Sequence, residues 1–419
     1  MSALLAPSAL PALGGGGAAR LFLAFAAAYF LSALLRGVTA TLAPNFSAEL
    51  GLAAGDLGLL GGAFFLGFAV AQLPLGSALD RFGARRVVLV LLAVAVAGCA
   101  AFAAARSFAA LTVARALIGV GVGACLMAPM TTFRHRFTPV AQLRANSWML
   151  MTGSLGMVAS TLPVRWLLPV AGWRGLFWIV AAGLALAAIA IAFSVPRDEP
   201  ASAPKADCPG YGAVFAHRTF QRYAPLGFFQ YGGLIAVQSL WAGPWLVEIA
   251  GHPPDVAARG LFALNLSMLG AFLFWGAVVP KLYAHGWTTA RLIATSVPLS
   301  LAALVLALAL GSAAGAGHWA LFCVACSATA LAQPAVGQAF PGALAGRALS
   351  AYNLVVFAGV FAVQWGLGLA IDAFRAAGLD RLSAYRGAFA LLAVCCAGAY
   401  LWFLWRADRA PGSGPVAAG

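Results

Sequence analysis

LGLLGGAFFLGFAVAQLPLGSALDRFGARR, residues 57–86, holds the two patterns that organise the whole chain. Residues 57–79 are apolar for about the twenty residues that a helix needs to cross the hydrocarbon core of a bilayer. The run then breaks into Asp80, Arg81, Arg85 and Arg86, set between Gly76, Gly83 and small neighbours. A long apolar run ending in a short, glycine-flanked basic turn reads as a membrane span followed by a cytoplasmic loop.

The same alternation continues in both directions. Apolar runs fall near 20–43, 57–79, 86–105, 109–131, 146–168 and 173–195, and again near 223–247, 258–280, 289–311, 317–340, 348–371 and 386–406. Charged residues are 9% of the 419 positions, hydrophobic types are 63%, and mean hydropathy is +0.93. Soluble globular proteins carry roughly 25% charge. A water-soluble enzyme, a disordered chain and a secreted disulfide scaffold are therefore excluded. No stretch alternates at period two as a membrane barrel requires. The expected fold is an all-α membrane protein of twelve transmembrane helices in two pseudo-symmetric six-helix bundles.

The longest polar stretch divides the chain. It contains Arg197, Asp198, Glu199, Pro200, Pro204, Lys205, Asp207 and Pro209. The expected organisation is a cytoplasmic tail over 1–19, a first bundle over 20–195, a linker over 196–221, a second bundle over 222–406 and a tail over 407–419. The Pro/Gly/Ala-rich start has no basic region ahead of a short apolar run, so no cleaved leader is expected. Most of the 25 Lys and Arg fall in loops on the linker side, Arg20, Arg134, Arg136, Arg144, Arg218, Arg222, Lys281, Arg291 and Arg347 among them. Basic residues collect in cytoplasmic loops, which places both termini inside. It also accounts for the net charge of +14 with no nucleic-acid partner.

The halves repeat at a step of 200 positions. Pro44 has Pro244, and Gly76 to Arg81 has a degraded copy in Gly276 to Lys281, with Pro280 in place of Asp80. Arg144-Ala145 with Ser147 echoes Arg347-Ala348 with Ser350. Duplicated multi-span units are a transporter architecture, with the binding site between the halves near mid-membrane.

Gly76, Asp80, Arg81, Gly83, Arg85 and Arg86 resemble the G-x-x-x-D-R-x-G-x-R-R loop of the major facilitator superfamily, in the expected place between spans 2 and 3. Arg115, Gly119 and Gly121 resemble the R-x-x-x-G-x-G pattern of span 4 in that family. The resemblance implies alternating access, a cytoplasmic latch at the Asp80–Arg86 loop and a part for Arg115 in proton coupling or conformational change. Read physically, Asp80 can meet a helix amino terminus, and Gly119 with Gly123 makes a face for close helix packing. Span 5, Thr152 to Ser160, lacks the Gly-Pro pair of the family's drug exporters.

Arg36, deep in span 1, is the candidate for substrate contact. An intramembrane arginine must face a cavity or a partner, and all 11 acids map to span ends or loops. Its counterpart in the repeat is Ala236. A guanidinium without a carboxylate partner is an anion site, because its planar fork binds carboxylate or phosphate through two parallel hydrogen bonds. Tyr29, Ser32, Arg36 and Thr39 share one helix face. Tyr231, Gln238 and Trp241 share a face of span 7, where Trp245 reads either as cavity wall or as interfacial anchor. Gln230, Asn265, Asn353, Gln364 and Trp148 complete the expected lining.

The seven cysteines give no disulfide framework; Cys323 and Cys326 read as small packing residues. Neither a metal, a cofactor nor catalytic residues are expected. The reading is a monomeric secondary transporter of the bacterial inner membrane that moves a small organic anion of carboxylate type. Its partners are that small-molecule substrate, the lipid bilayer and protons as one candidate coupling ion. A proton-coupled multidrug or metabolite exporter is the alternative.

Overall fold

The structure, a computed structural model, describes residues 15–196 and 211–408. Residues 1–14 and 409–419 of the expected tails, residues 197–210 of the linker with Cys208, and the Asp80 side chain lie outside the described residues, while 15–19 and 407–408, expected as tail, belong to helices. The first part holds α1 (Gly15–Leu50), α2 (Ala54–Phe82), α3 (Ala84–Ala104), α4 (Phe108–Val122), α5 (Met127–Arg136), α6 (Pro139–Ala159) and α7 (Leu162–Ser194). The second begins with the short α8 (Tyr211–Ala216) and α9 (Arg218–Pro225). Residues 226–249 then alternate between three π-helical stretches, Leu226–Tyr231, Val237–Trp241 and Trp245–Ile249, and the short α10 (Gly232–Ala236) and α11 (Ala242–Pro244). The chain continues as α12 (Pro254–Ala284), α13 (Thr289–Leu310), α14 (Ala316–Cys326), α15 (Ala332–Gln338), α16 (Gly342–Ala376) and α17 (Arg381–Asp408).

Among the described residues, ten helical stretches are long and apolar enough to cross a membrane. Two expected spans are not among them, for different physical reasons. α6 is 21 residues long but carries Gln142, Arg144, Asn146, Ser147, Thr152 and Ser154. Residues 226–249 are apolar, but the π-helical stretches cut them into pieces. Wide π turns inside a helix concentrate at functional sites.

Local chemistry sets the reversals. Gly83, at φ 78°, turns the chain between α2 and α3, a conformation open to glycine at no steric cost. Ser107, Thr138 and Thr288 each accept a backbone N–H, from Ala110, Ala141 and Arg291, and so cap α4, α6 and α13. The linker end of the molecule is marked by Arg85, which donates to the Ala192 carbonyl in the last turns of α7. The far end is marked by Glu49, which accepts from Trp173 and Arg174.

Lipid supplies no hydrophobic force between helices, so close backbone approach must hold them together. A Cβ on Gly119 of α4 would stand 1.9 Å from the Phe64 carbonyl oxygen of α2, and one on Gly67 of α2 would stand 2.1 Å from the Ala116 carbonyl oxygen of α4. α2 turns its other face to α16, where a Cβ on Gly58 would stand 2.5 Å from the Gln364 carbonyl oxygen. One helix thus joins its own part of the chain to the other part. In the second part, Trp245, Trp319 and Phe389 form an aromatic core, with the Trp245 and Trp319 ring centroids 4.9 Å apart. Trp245 is fully buried and donates to the Ala314 carbonyl, so the interfacial-anchor reading of this residue fails.

Gly119→Ala forces α2 and α4 apart and is expected to cost about 1–3 kcal/mol, the usual cost of overpacking. Thermal unfolding of the purified protein should show a lowered midpoint. Gly270→Ala, where an added Cβ meets nothing within 4 Å, should leave the midpoint unchanged or raised.

Candidate functional site

Glycines fix the position of α1, and α1 carries the site. A Cβ on Gly153 of α6 would stand 2.5 Å from the Tyr29 ring, and one on Gly156 would stand 2.3 Å from the Phe30 carbonyl oxygen. A Cβ on Gly37 of α1 would stand 2.4 Å from the Ser160 hydroxyl oxygen. On the opposite side, Gly243 of α11 lies against the Ala40 carbonyl. α1 is therefore clamped between α6 and the 226–249 segment, with its polar face turned inward.

Arg36 lies on that face, half-buried. Its guanidinium carbon is 5.7 Å from the ring centroid of Phe68 in α2 and 5.9 Å from that of Phe357 in α16. Those two rings touch each other, with centroids 4.4 Å apart, and Phe65 stacks behind Phe357. Aromatic faces carry partial negative charge and attract a guanidinium. Tyr29 interacts with the guanidinium, and Tyr231, from the first π-helical stretch, lies within its electrostatic reach. The Nε atom of Arg36 is buried with no hydrogen-bond partner. Among the described residues no carboxylate pairs with Arg36. The site is one cation, two tyrosines and an aromatic wall, drawn from both parts of the chain.

Arg115 solves the same problem differently. It is 1% exposed, yet one Nη donates to the Leu35 carbonyl and the other to the Thr39 hydroxyl. The Phe64 ring lies 5.1 Å from its guanidinium carbon. Leu35 and Thr39 flank Arg36 along α1, so Arg115 braces the turn that presents Arg36. The expected stripe is thereby divided: Tyr29 and Arg36 come together, Ser32 is buried beside Cys125, and Thr39 faces α4.

The polar candidates of the second part mostly meet one another. Gln238 donates to Asn265, and Gln364 donates to Ser239 while its carbonyl accepts from Trp241. Gln230 donates to Ser300 and to the Cys326 sulfur, and Gln333 donates to Asn353. These bonds tie the 226–249 segment to α12, α13, α14 and α16. Trp148 stands apart, 55% exposed with its ring edge on Phe22. Among the loop candidates, Gly76 approaches Ser350, Arg81 lies over Phe82, and Arg86 is exposed. Sequence reading missed Phe65, Phe68 and Phe357. An apolar span offers no periodic signal that separates a phenylalanine beside a buried cation from one facing lipid.

A sequence profile of the Major Facilitator Superfamily matches residues 25–364. The chain belongs to this family. As a major facilitator protein it is a membrane transporter rather than an enzyme. It is 32% identical over 165 residues to the cis,cis-muconate transport protein of Acinetobacter baylyi, covering 38% of each chain. It is 31% identical over 144 residues to a probable 4-methylmuconolactone transporter of Cupriavidus pinatubonensis, covering 33% of each. It is 26% identical over 267 residues to the 3-(3-hydroxy-phenyl)propionate transporter of Escherichia coli, covering 60% of this chain and 64% of that one. The chain thus spans less than two thirds of the length of each of these curated relatives. Among solved structures, a bacterial homologue of the human lysosomal transporter Spinster superposes with TM-score 0.75 at 18% identity, covering 94% of this chain and 98% of that one. A D-xylose–proton symporter superposes equally well at 14% identity, covering 92% and 96%. At such identities the likeness is one of fold.

Thr39→Val removes one acceptor of a buried guanidinium and is expected to cost about 1.5–3 kcal/mol, the worth of a hydrogen bond to a charged group. Thermal unfolding of Thr39→Val, of Arg115→Met and of the double variant measures this. The double variant should lose less than the sum of the single losses, because the two residues share one interaction.

Proposed function

We propose that this transporter moves a small organic acid anion across the inner membrane of a bacterium, with a planar, unsaturated or aromatic body as the preferred cargo. One observation carries the reading: Arg36 stands between the two parts of the chain, without a carboxylate partner among the described residues and backed by aromatic rings. A substrate carboxylate completes the hydrogen bonds of the guanidinium, and a flat apolar body lies against Phe68 and Phe357. The relatives named for muconate, methylmuconolactone and hydroxyphenylpropionate transport agree with this class.

The accompanying architecture is twelve spans in two six-helix bundles, counting α6 and the 226–249 segment as spans. The protein is monomeric, with both termini and the linker on the cytoplasmic side, and works by alternating access. Ten helices of sufficient length and apolarity and the clustering of Arg and Lys on the linker side support this arrangement. Tyr29, Tyr231 and Arg36 contact cargo, Arg115 positions Arg36, and the amide pairs hold the shape of the cavity. The loop from Gly76 to Arg86 acts as a latch at the linker end. With no acid beside Arg36 among the described residues, protons either travel with the cargo or act at the gates.

Uptake of cis,cis-muconate and of 3-(3-hydroxyphenyl)propionate into proteoliposomes tests the proposal. Wild-type protein should take up at least one of them and ignore its uncharged methyl ester. Arg36→Gln should lower binding about 10- to 100-fold, the equivalent of a charged hydrogen-bond pair, while the variant still folds. Unchanged uptake by a folded Arg36→Gln protein sinks the anion assignment.

A further inference from the structure

We propose that a groove between α1 and α7, at the linker end of the molecule, is a binding site for one anionic phospholipid. An acyl chain lies along the groove and the phosphate meets Arg20. The proposal rests on α1 and α7 spanning the bilayer and stands apart from the cargo assignment.

The two helices run side by side and meet closely at depth, where a Cβ on Gly183 of α7 would stand 3.0 Å from a methyl of Leu31 in α1. Toward the linker end they leave a groove of about 910 Å³, reaching from Leu31 to Gly17 along α1 and from Gly183 to Ser194 along α7. Side-chain size shapes it. Ala24 and Ala187 form a buried floor, 4% and 3% exposed, while Leu23, Leu186 and Phe193 stand at the rim, 64%, 66% and 88% exposed. From Gly17 to Leu31 a helix rising 1.5 Å per residue covers roughly 20 Å. One leaflet supplies about 15 Å of hydrocarbon, half the thickness of the bilayer core. The groove is therefore long enough to hold an acyl chain through the depth of a leaflet.

Shape places a lipid there but does not choose which one. Lipid tails are as apolar as leucine, so a chain gains little by leaving bulk lipid for the groove. Preference must come from the headgroup, and the polar end of the groove supplies it. Arg20 lies exposed at that end beside Ser194. Among the described residues no carboxylate pairs with Arg20. An arginine stem can lie along apolar surface while its charge reaches the interface. Arg85 sets the level, since it donates to the Ala192 carbonyl in the last turns of α7, and Arg86 next to it is exposed. The open end of the groove is thus a basic rim. A guanidinium holds a phosphate through two parallel hydrogen bonds. A zwitterionic headgroup brings an ammonium of its own, which this rim repels, so the site favours a headgroup of net negative charge.

Native mass spectrometry of the full chain in detergent, titrated with dioleoylphosphatidylglycerol or dioleoylphosphatidylcholine, tests this. The first phosphatidylglycerol should bind about tenfold more tightly than the first phosphatidylcholine. Arg20→Gln should weaken phosphatidylglycerol binding about tenfold, the equivalent of one charged hydrogen bond, and leave phosphatidylcholine binding unchanged. Arg291→Gln, which removes an exposed cation in the first turn of α13, should leave both unchanged. A phosphatidylglycerol carrying a diazirine in its acyl chain should label residues 17–31 and 183–194 in preference to α12 and α13. Wild-type phosphatidylglycerol binding by Arg20→Gln overturns the proposal. So does an equal loss in Arg291→Gln, which marks general attraction to a basic surface, or label spread evenly over the helices. A groove that takes no label in a protein that runs as a dimer belongs to a second copy of the chain and overturns it as well. Arg20 is exposed, so Arg20→Gln should fold; should it not, the labelling pattern of the wild-type protein decides the matter alone.

Discussion

A guanidinium inside a bilayer must be compensated at once or kept wet, and the placement of two such groups governs the arrangement around α1. Arg115 is compensated within the protein, by the Leu35 carbonyl, the Thr39 hydroxyl and the Phe64 ring. All three lie on α1 or α2, so satisfying Arg115 sets α4 against both helices. Among the described residues, ring faces and Tyr29 compensate Arg36. Ring faces offset part of the cost of a charge but supply no hydrogen-bond acceptor. The two arginines are therefore compensated differently: one by hydrogen bonds within the fold, the other by ring faces and a tyrosine.

The two parts of the chain differ in how far side-chain hydrogen bonds add to close backbone packing. In the first, glycines bring backbones into contact, as Gly119 does with Phe64 and Gly156 with Phe30. In the second, amide side chains bridge helices, as Gln238 does to Asn265 and Gln230 to Ser300. Hydrogen bonds between membrane helices are individually modest, about 0.6 kcal/mol on average. Close backbone approach accompanies them: a Cβ on Gly359 of α16 would stand 2.2 Å from the Phe228 carbonyl oxygen in the first π-helical stretch.

Much of the fold was legible in the sequence, because length and apolarity are properties of single spans. The turn after α2 was readable for a local reason: only Gly83 among its neighbours takes positive φ without strain. Arg36 was readable because a charge in an apolar run is conspicuous and its repeat counterpart is Ala236. The rest depended on packing between distant segments. Nothing in residues 226–249 marks where a π turn falls, because that register is set by where Trp241 and Trp245 find Gln364 and Ala314. Thr39 shares a face with Arg36 by helical spacing, yet the helix rotation carries it to Arg115. Phe68 and Phe357 carry no polar signal at all. Asp372 was set aside as one acid at a span end. Its bonds to the Ala54 and Gly55 N–H groups exist only once α16 is laid on α2.

The departures from internal symmetry follow a consistent logic. The repeat preserved what both halves need structurally: Pro44 and Pro244 near the far end, and helix starts at 54 and 254. It diverged where a second copy would be harmful. A second arginine at position 236, a fully buried position, would need partners of its own in a low-dielectric space. Ala236 needs none, and the second half contributes Tyr231 and Phe357, which shape and back the cation without competing with it. The charge thus stands on α1 while the rings that back it come from α2 and α16, so the cation meets both parts of the chain through aromatic faces.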